Sequence, residues 1–179
     1  RESTFTEADA TSNATNSFDF ASITENLSTN GMGLNVKAGV IYKPVEYIRL
    51  GFTIHSPTFY TLTDKYNASV TANTENYQPT WTQSSDIFTG GKDAEFKYNL
   101  HTPYRLIASA SYVLREIEDV RKQKGFLTAD IEYINYKASS YSVSTSEGAD
   151  NSQSTKDYLK SLNKAIDKSY KGALNFRVG

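Results

Sequence analysis

Alternating apolar and polar residues predict five β-strands in this chain. In segments 34–43 and 47–55 every second side chain is apolar. Pro44 stands in the short connection 43–46, where its fixed φ and missing N–H favour a turn, so we expect the two segments to form a hairpin. The same alternation predicts three further strands at 98–114, 126–137 and 173–179.

The alternation fits two kinds of β-protein. In a soluble antiparallel sheet the apolar face covers a core, and the polar face meets water. In a barrel of the bacterial outer membrane the apolar face meets lipid and the polar face lines the interior, with aromatic residues at both interfaces. Alternation alone leaves both interpretations open, so other features of the sequence must separate them.

Three features favour the membrane interpretation. The connection 43–46 is very short, whereas long segments follow the second and fourth strands, as in barrels with short periplasmic turns and long extracellular loops. The predicted strands are long for a small sandwich, and tyrosines lie towards their ends. The alternate positions that carry polar side chains, here called the polar parity, are strongly ionic. Its members, which we expect to line the interior as an ion-pair network, are Lys37, Arg49, His55, Arg105, Asp130, Glu132 and Arg177.

Asp130 and Glu132 share one face of the fourth strand, about 7 Å apart by strand rise. Paired carboxylates can perform acid–base catalysis. Arginines of the same parity can also pair with them inside a barrel, and this structural role is the interpretation that we prefer. We expect neither carboxylate to be catalytic.

Other catalytic and metal-binding signatures are absent from the sequence. It contains no G-x-S-x-G element, phosphate-binding loop or dinucleotide motif, and neither His55 nor His101 has metal-ligand spacing. There is no Cys, which excludes disulfides and thiolate sites. We therefore expect no enzyme activity, no cofactor and no metal site.

Outside the five strands we expect loops and one helix. Residues 1–30 are polar and rich in Thr, Ser and Asn, which predicts an extracellular loop or a loosely held extension. In 154–170 apolar residues recur at helical spacing, and Ser154 with Asp157 resembles a capping pair. This helix in the loop before the fifth strand either packs on the rim or contributes to a binding site. Possible contacts to an extracellular ligand are Trp81, Tyr158 and Leu162.

Composition fits a barrel as well as a soluble domain. The 179 residues carry a net charge of −1, which provides no broad field to attract nucleic acid. The hydrophobic fraction is 38%, a low value that barrel strands explain because only every second residue of a span must be apolar. The 13 tyrosines are then suited to interfacial girdles and lumen lining.

Four segments resemble successive strands of one known family, in the same order. They are 31–66, 98–114, 125–142 and 163–179, and residues 1–30 and 67–95 have no counterpart. The most specific pieces are 39–44 with 49–51, 56–58, 102–105 and 130–136. On these pieces the chain resembles the long-chain fatty acid transporter family of outer-membrane proteins, the FadL/TodX type.

The resemblance implies a monomeric 14-stranded barrel with an N-terminal hatch, which takes up hydrophobic molecules and releases them through a lateral opening in its wall. Only about five to seven strands are visible here. We therefore expect residues 1–179 to be an excerpt, a single partial all-β domain that forms a transmembrane antiparallel β-barrel with the remaining strands. The implied function is passive uptake of hydrophobic compounds such as fatty acids across the Gram-negative outer membrane. The implied partners are the lipid bilayer and hydrophobic small molecules.

A second hypothesis is a soluble or surface-anchored β-rich module whose tyrosines stack on glycans or on a protein partner. It predicts that the apolar parity of the third strand faces a protein core. The residues that distinguish it from the barrel are Leu106, Ala108, Ala110 and Tyr112.

Overall fold

The computed structural model describes residues 1–11, 16–75, 77–114 and 125–179, and strands make up 60% of them. The elements are β1 (Glu2–Ala8), β2 (Phe20–Leu34), β3 (Lys37–Val45), β4 (Ile48–His55), β5 (Phe59–Asn73), β6 (Trp81–Ser84), β7 (Ala94–His101), β8 (Tyr104–Leu114), β9 (Gly125–Asn135), β10 (Ser140–Val143), α1 (Gln153–Ser169) and β11 (Gly172–Val178). The fold is mostly β-sheet, as the alternation predicted.

The strands form two antiparallel sheets, neither of which closes on itself within the described ranges. One sheet has the order β1-β2-β5-β7-β10, with β6 paired to β5, and the other has the order β11-β9-β8-β4-β3. By its contacts the chain divides into two compact units. The first comprises Arg1–Gly31 and Leu62–Lys97, and the second comprises Met32–Thr61 and Tyr98–Gly179.

The first unit corrects the expectation of a loop at residues 1–30, because this segment contains β1 and most of β2. The two strands pair along the whole of β1, from Glu2 opposite Asn26 to Ala8 opposite Phe20. Hydroxyl groups face one another across this ladder, with 3.3 Å between Thr4 and Thr24 Oγ1. Strands of this kind need no apolar alternation, since β-branched threonines fit the pleat and their hydroxyls form the cross-strand pairs.

The second unit contains the five-stranded sheet and confirms the predicted hairpin. Strands β3 and β4 pair from Lys37 opposite His55 to Val45 opposite Ile48. The turn is tighter than predicted, because Pro44 lies within β3 and leaves only residues 46 and 47 between the strands. Pro44 lies at the register irregularity between Tyr42 and Val45, and such irregularities accommodate proline because the regular ladder is already interrupted there.

The predicted single strand 98–114 is two strands that belong to different sheets. β7 ends at His101 and β8 begins at Tyr104. Pro103 supplies no N–H, and it disfavours helical backbone at the residue before it. At this break Thr58 and Thr102 replace the regular ladder, since the Thr102 N–H donates to Thr58 O and the Thr58 N–H donates to Thr102 Oγ1.

The predicted helix is present, one residue earlier than expected, but its cap differs. The N-cap is Ser152, whose Oγ accepts a hydrogen bond from the Thr155 N–H at 3.2 Å. Ser154 lies inside the first turn, where its backbone is already helical and cannot adopt the extended cap conformation. A hydrogen bond from the Thr155 hydroxyl, together with two from the Ser152 backbone and hydroxyl, keeps the pKa of the Asp150 carboxyl below the usual range.

Candidate functional site

The apolar face of the five-stranded sheet is exposed. Its side chains align in rows across all five strands, and the central row is Val40, Phe52, Ala108, Ile131 and Phe176. Phe52 and Ile131 lie on interior strands of the sheet, and yet each is 48% exposed. Such strands normally have their apolar side chains covered by a core.

On the interior strands β4, β8 and β9 the opposite face, which carries the charged residues, is the more covered one. Glu132 is only 3% exposed, and Asp130 on the same strand is half-buried, as are Thr53 on β4 and Ser109 on β8. In contrast, Ala108, Ala110 and Tyr112 on the apolar face of β8 are exposed, and Leu106 is half-buried. The soluble-module hypothesis predicted that these positions face a protein core. No core of described residues covers the three exposed ones.

Three members of the predicted ion-pair network meet at Glu132. Its Oε1 lies 3.0 Å from Arg105 Nη1 on β8, and its Oε2 lies 2.9 Å from Arg177 Nη2 on β11. The Asn175 amide donates to Oε2 at 3.1 Å. The carboxylate thus bridges three adjacent strands, with both arginines partly exposed at its sides. Asn175 was not predicted as a member of this network, because only ionisable residues were considered for it.

A row of basic side chains extends from this cluster across β8 and β4 to the edge strand β3. Lys37 is opposite His55, and His55 is opposite Arg105. All three line a polar cavity of about 360 Å³, whose other walls include hydroxyl groups of Ser56 and Thr58. The cavity therefore offers cationic and hydrogen-bonding groups to an anionic group.

The remaining two predicted members lie farther along the same face. Arg49 and Asp130 both line a smaller cavity of about 270 Å³. Gly51 forms part of its lining, and a Cβ at this position would overlap Ser109 Oγ. The missing side chain of Gly51 thus leaves room for the Ser109 hydroxyl of the neighbouring strand. The seven residues consequently follow one face of the sheet, and Glu132 is in contact with two of them.

An apolar groove of about 600 Å³ lies beside the polar cavity. The helix contributes Leu162 and Ile166, the residue after it contributes Tyr170, and the strands contribute Leu100 and Tyr141. Its volume falls in the range of small-molecule sites, and apolar side chains predominate in its wall. Thr102, Pro103 and Tyr136 line both the groove and the polar cavity. These two spaces therefore adjoin at the break between β7 and β8.

Two contacts hold α1 against the groove. The Asn163 side chain accepts a hydrogen bond from the Tyr141 N–H at 2.7 Å and donates one to Tyr141 O at 2.8 Å. Lys137 Nζ lies 3.0 Å from Asp167 Oδ1. The sequence analysis missed this anchor, although Asn163 stands as a polar residue within the apolar stripe of the helix.

The three predicted ligand contacts do not share one environment. Leu162 lines the groove. Tyr158 is 57% exposed on α1 and does not line this groove, and Trp81 belongs to β6 of the first unit. His101 was considered only as a metal ligand, but it lines the groove and packs edge-on against the Phe59 ring at 4.9 Å.

In the described ranges no three His, Asp or Glu residues are grouped so that they could hold a metal ion, and no helix there has the length and apolar character to cross a membrane. No family model, curated protein or solved structure matches this chain.

Proposed function

We propose that this chain is part of a FadL/TodX-type outer-membrane channel for hydrophobic compounds such as fatty acids. The observation that carries the proposal is the reversed exposure of the five-stranded sheet, with apolar residues outward and a buried Glu132 on the other face. Soluble monomers rarely expose contiguous apolar patches larger than a few hundred Å². Lipid would cover such a face along all five strands.

Aromatic pairs at both ends of the apolar face support this placement in a bilayer. Tyr47 and Tyr112 have ring centroids 5.5 Å apart at one end, and Tyr104 and Tyr133 have centroids 6.3 Å apart at the other. Along β8, the span from Tyr104 to Tyr112 is about 26 Å by strand rise. This is of the same order as the apolar band of about 25 Å in outer-membrane barrels.

The unpaired edges of the sheet support the remaining strands as partners. In the described structure β3 and β11 each pair on one side only. Open edges are costly within hydrocarbon, because water cannot satisfy their backbone groups. Further strands of the same barrel would complete both ladders.

The two adjoining cavities provide the route that we propose for the ligand. The apolar groove suits a hydrocarbon chain, and the row of Lys37, His55 and Arg105 suits an anionic head group. Pro103, which lines both cavities, separates β7 from β8, and Pro57 separates β4 from β5, so we place the lateral opening of the wall at these breaks. Transport by this route needs no catalytic group and no cofactor.

Site-directed spin labelling of the full-length protein in bilayers tests the membrane placement. Labels at Phe52 and Ile131 should be relaxed by lipid-soluble oxygen, whereas labels at Thr53 and Ser109 should not, because they lie on the other face. Low oxygen accessibility at all four positions would instead favour the soluble or surface-anchored glycan- or protein-binding module.

The head-group assignment predicts a selective effect of Lys37→Gln. We expect affinity for dodecanoate to fall about fivefold, in keeping with an exposed charge pair, and affinity for the neutral dodecanol to be unchanged. Isothermal titration of the full-length protein in neutral detergent measures both. Equal losses for the acid and the alcohol would exclude Lys37 as the head-group contact.

A further inference from the structure

A line of lysines follows the solvent side of α1. Lys156, Lys160, Lys164 and Lys168 recur at intervals of four residues, and Lys171 follows the end of the helix. All five are exposed. The side of the helix that packs on the protein carries Thr155 and Leu159, which are buried. The lysines are therefore turned away from the groove.

This positive charge is concentrated and unneutralised. Segment 153–171 contains five lysines and two aspartates, so its net charge is +3 in a chain whose net charge is −1. Asp167 pairs with Lys137, and Asp157 accepts a hydrogen bond from Gln153. In the part of the chain that the structure describes, none of the five lysines forms an ion pair.

The C-terminal end of this line is fixed at the end of the apolar face. Lys171 immediately precedes Gly172, which pairs with Asn135, and Asn135 pairs with Tyr104. Tyr104 and Tyr133 form the aromatic pair at this end of the sheet. Along the sheet axis the order is thus apolar side chains, then tyrosines, then Lys171, and the helix lysines precede Lys171 in the chain.

We propose that Lys164, Lys168 and Lys171 bind the phosphate groups of anionic lipids in the leaflet that borders this end of the sheet. The inference rests on the proposed membrane function and adds a lipid preference to it. Apolar band, aromatic residues and basic residues follow one another in this order at membrane interfaces. The long lysine stems can extend along the apolar surface while the ammonium groups reach the head groups.

The arrangement fits a charged surface better than a single free anion. Successive lysines of the line are one helical turn apart, about 5.4 Å along the axis, so they do not converge on one point. They are exposed, and none of them lines the apolar groove. Several phosphates in a plane can be contacted at once, and each basic residue near such a surface adds to binding.

The test compares two charge-matched variants of the full-length protein in neutral detergent. Lys168→Gln with Lys171→Gln removes two charges from the proposed surface, and Lys65→Gln with Lys92→Gln removes two exposed charges from the first unit. Thermophoresis of labelled protein measures binding of phosphatidylglycerol and of phosphatidylcholine. We expect the first variant to lose roughly 25-fold in affinity for phosphatidylglycerol, and the second to lose little.

Three results would overturn the proposal. They are equal losses in both variants, loss of phosphatidylcholine binding in the first variant to the same extent, and displacement of phosphatidylglycerol by an equal concentration of inorganic phosphate. Insertion into vesicles of pure phosphatidylcholine, followed by flotation, tests the membrane function separately. If insertion succeeds while anionic preference is absent, only the lipid surface is rejected.

Discussion

Val40→Arg should block membrane insertion, and Ile41→Arg on the neighbouring residue should not. Both side chains are on the edge strand β3 and are highly exposed, at 61% and 78%. Val40 belongs to the central row of the apolar face, whereas Ile41 is on the opposite face and lines the cavity of Arg49 and Asp130. An arginine that faces lipid at mid-depth costs about 2–4 kcal/mol, and one that faces the lumen costs far less.

Folding of the full-length protein into vesicles, followed by gel shift and protease protection, measures this difference. In a water-soluble module both substitutions replace an exposed side chain, so each should change stability by less than about 0.5 kcal/mol. Equal effects of Val40→Arg and Ile41→Arg would therefore contradict lipid contact on the apolar face. The two variants change neighbouring residues of the same strand, both highly exposed, and introduce the same charge, so they differ mainly in the face that carries the arginine.

Removal of both arginines around Glu132 should destabilise the protein by more than the sum of the single changes. Arg105→Met and Arg177→Met each leave one cation beside the carboxylate, and both arginines are partly exposed, so we expect about 1 kcal/mol for each. The double variant leaves a buried carboxylate without a cation. Loss of the partners of a buried charge costs about 3–5 kcal/mol.

Urea unfolding of the full-length protein in bilayers measures these free energies. Addition of Glu132→Met to the double variant should restore most of the stability, because an apolar replacement of a whole buried ionic group is often neutral. Additive single effects, or no recovery in the triple variant, would show that the two arginines do not act through Glu132.

The sequence predicted the five-stranded sheet better than the rest of the fold. Alternation reports the two faces of a strand, so β3, β4, β9 and β11 were found with the correct sidedness. It could not reveal β1 and β2, because their apolar residues do not alternate regularly: Phe5 lies opposite Ile23, but Ser3 and Glu7 occupy the next positions on the same face of β1. It also failed to predict the break at Pro103, because Thr102 and Tyr104 continue the alternation of the residues on either side.

For the candidate site, alternation predicted which residues share a face of the sheet but not which of them are in contact. Parity placed Arg105, Glu132 and Arg177 on one face, but the contacts among them depend on the register of three strands. The groove depends on a helix docked by Asn163 onto β10, a strand of only four residues. Such long-range contacts leave little trace in a local pattern.

The two long chain excursions start and finish on neighbouring strands of the five-stranded sheet. Segment 56–103 leaves His55 and returns beside it through Arg105, and segment 136–171 leaves Asn135 and returns opposite it at Gly172. Each excursion closes a loop whose ends the sheet already holds together, so doubling its length adds only about 0.6 kcal/mol of closure entropy. Evolution can therefore lengthen or exchange either excursion, together with the cavity walls it supplies, without shifting one residue of the sheet's register.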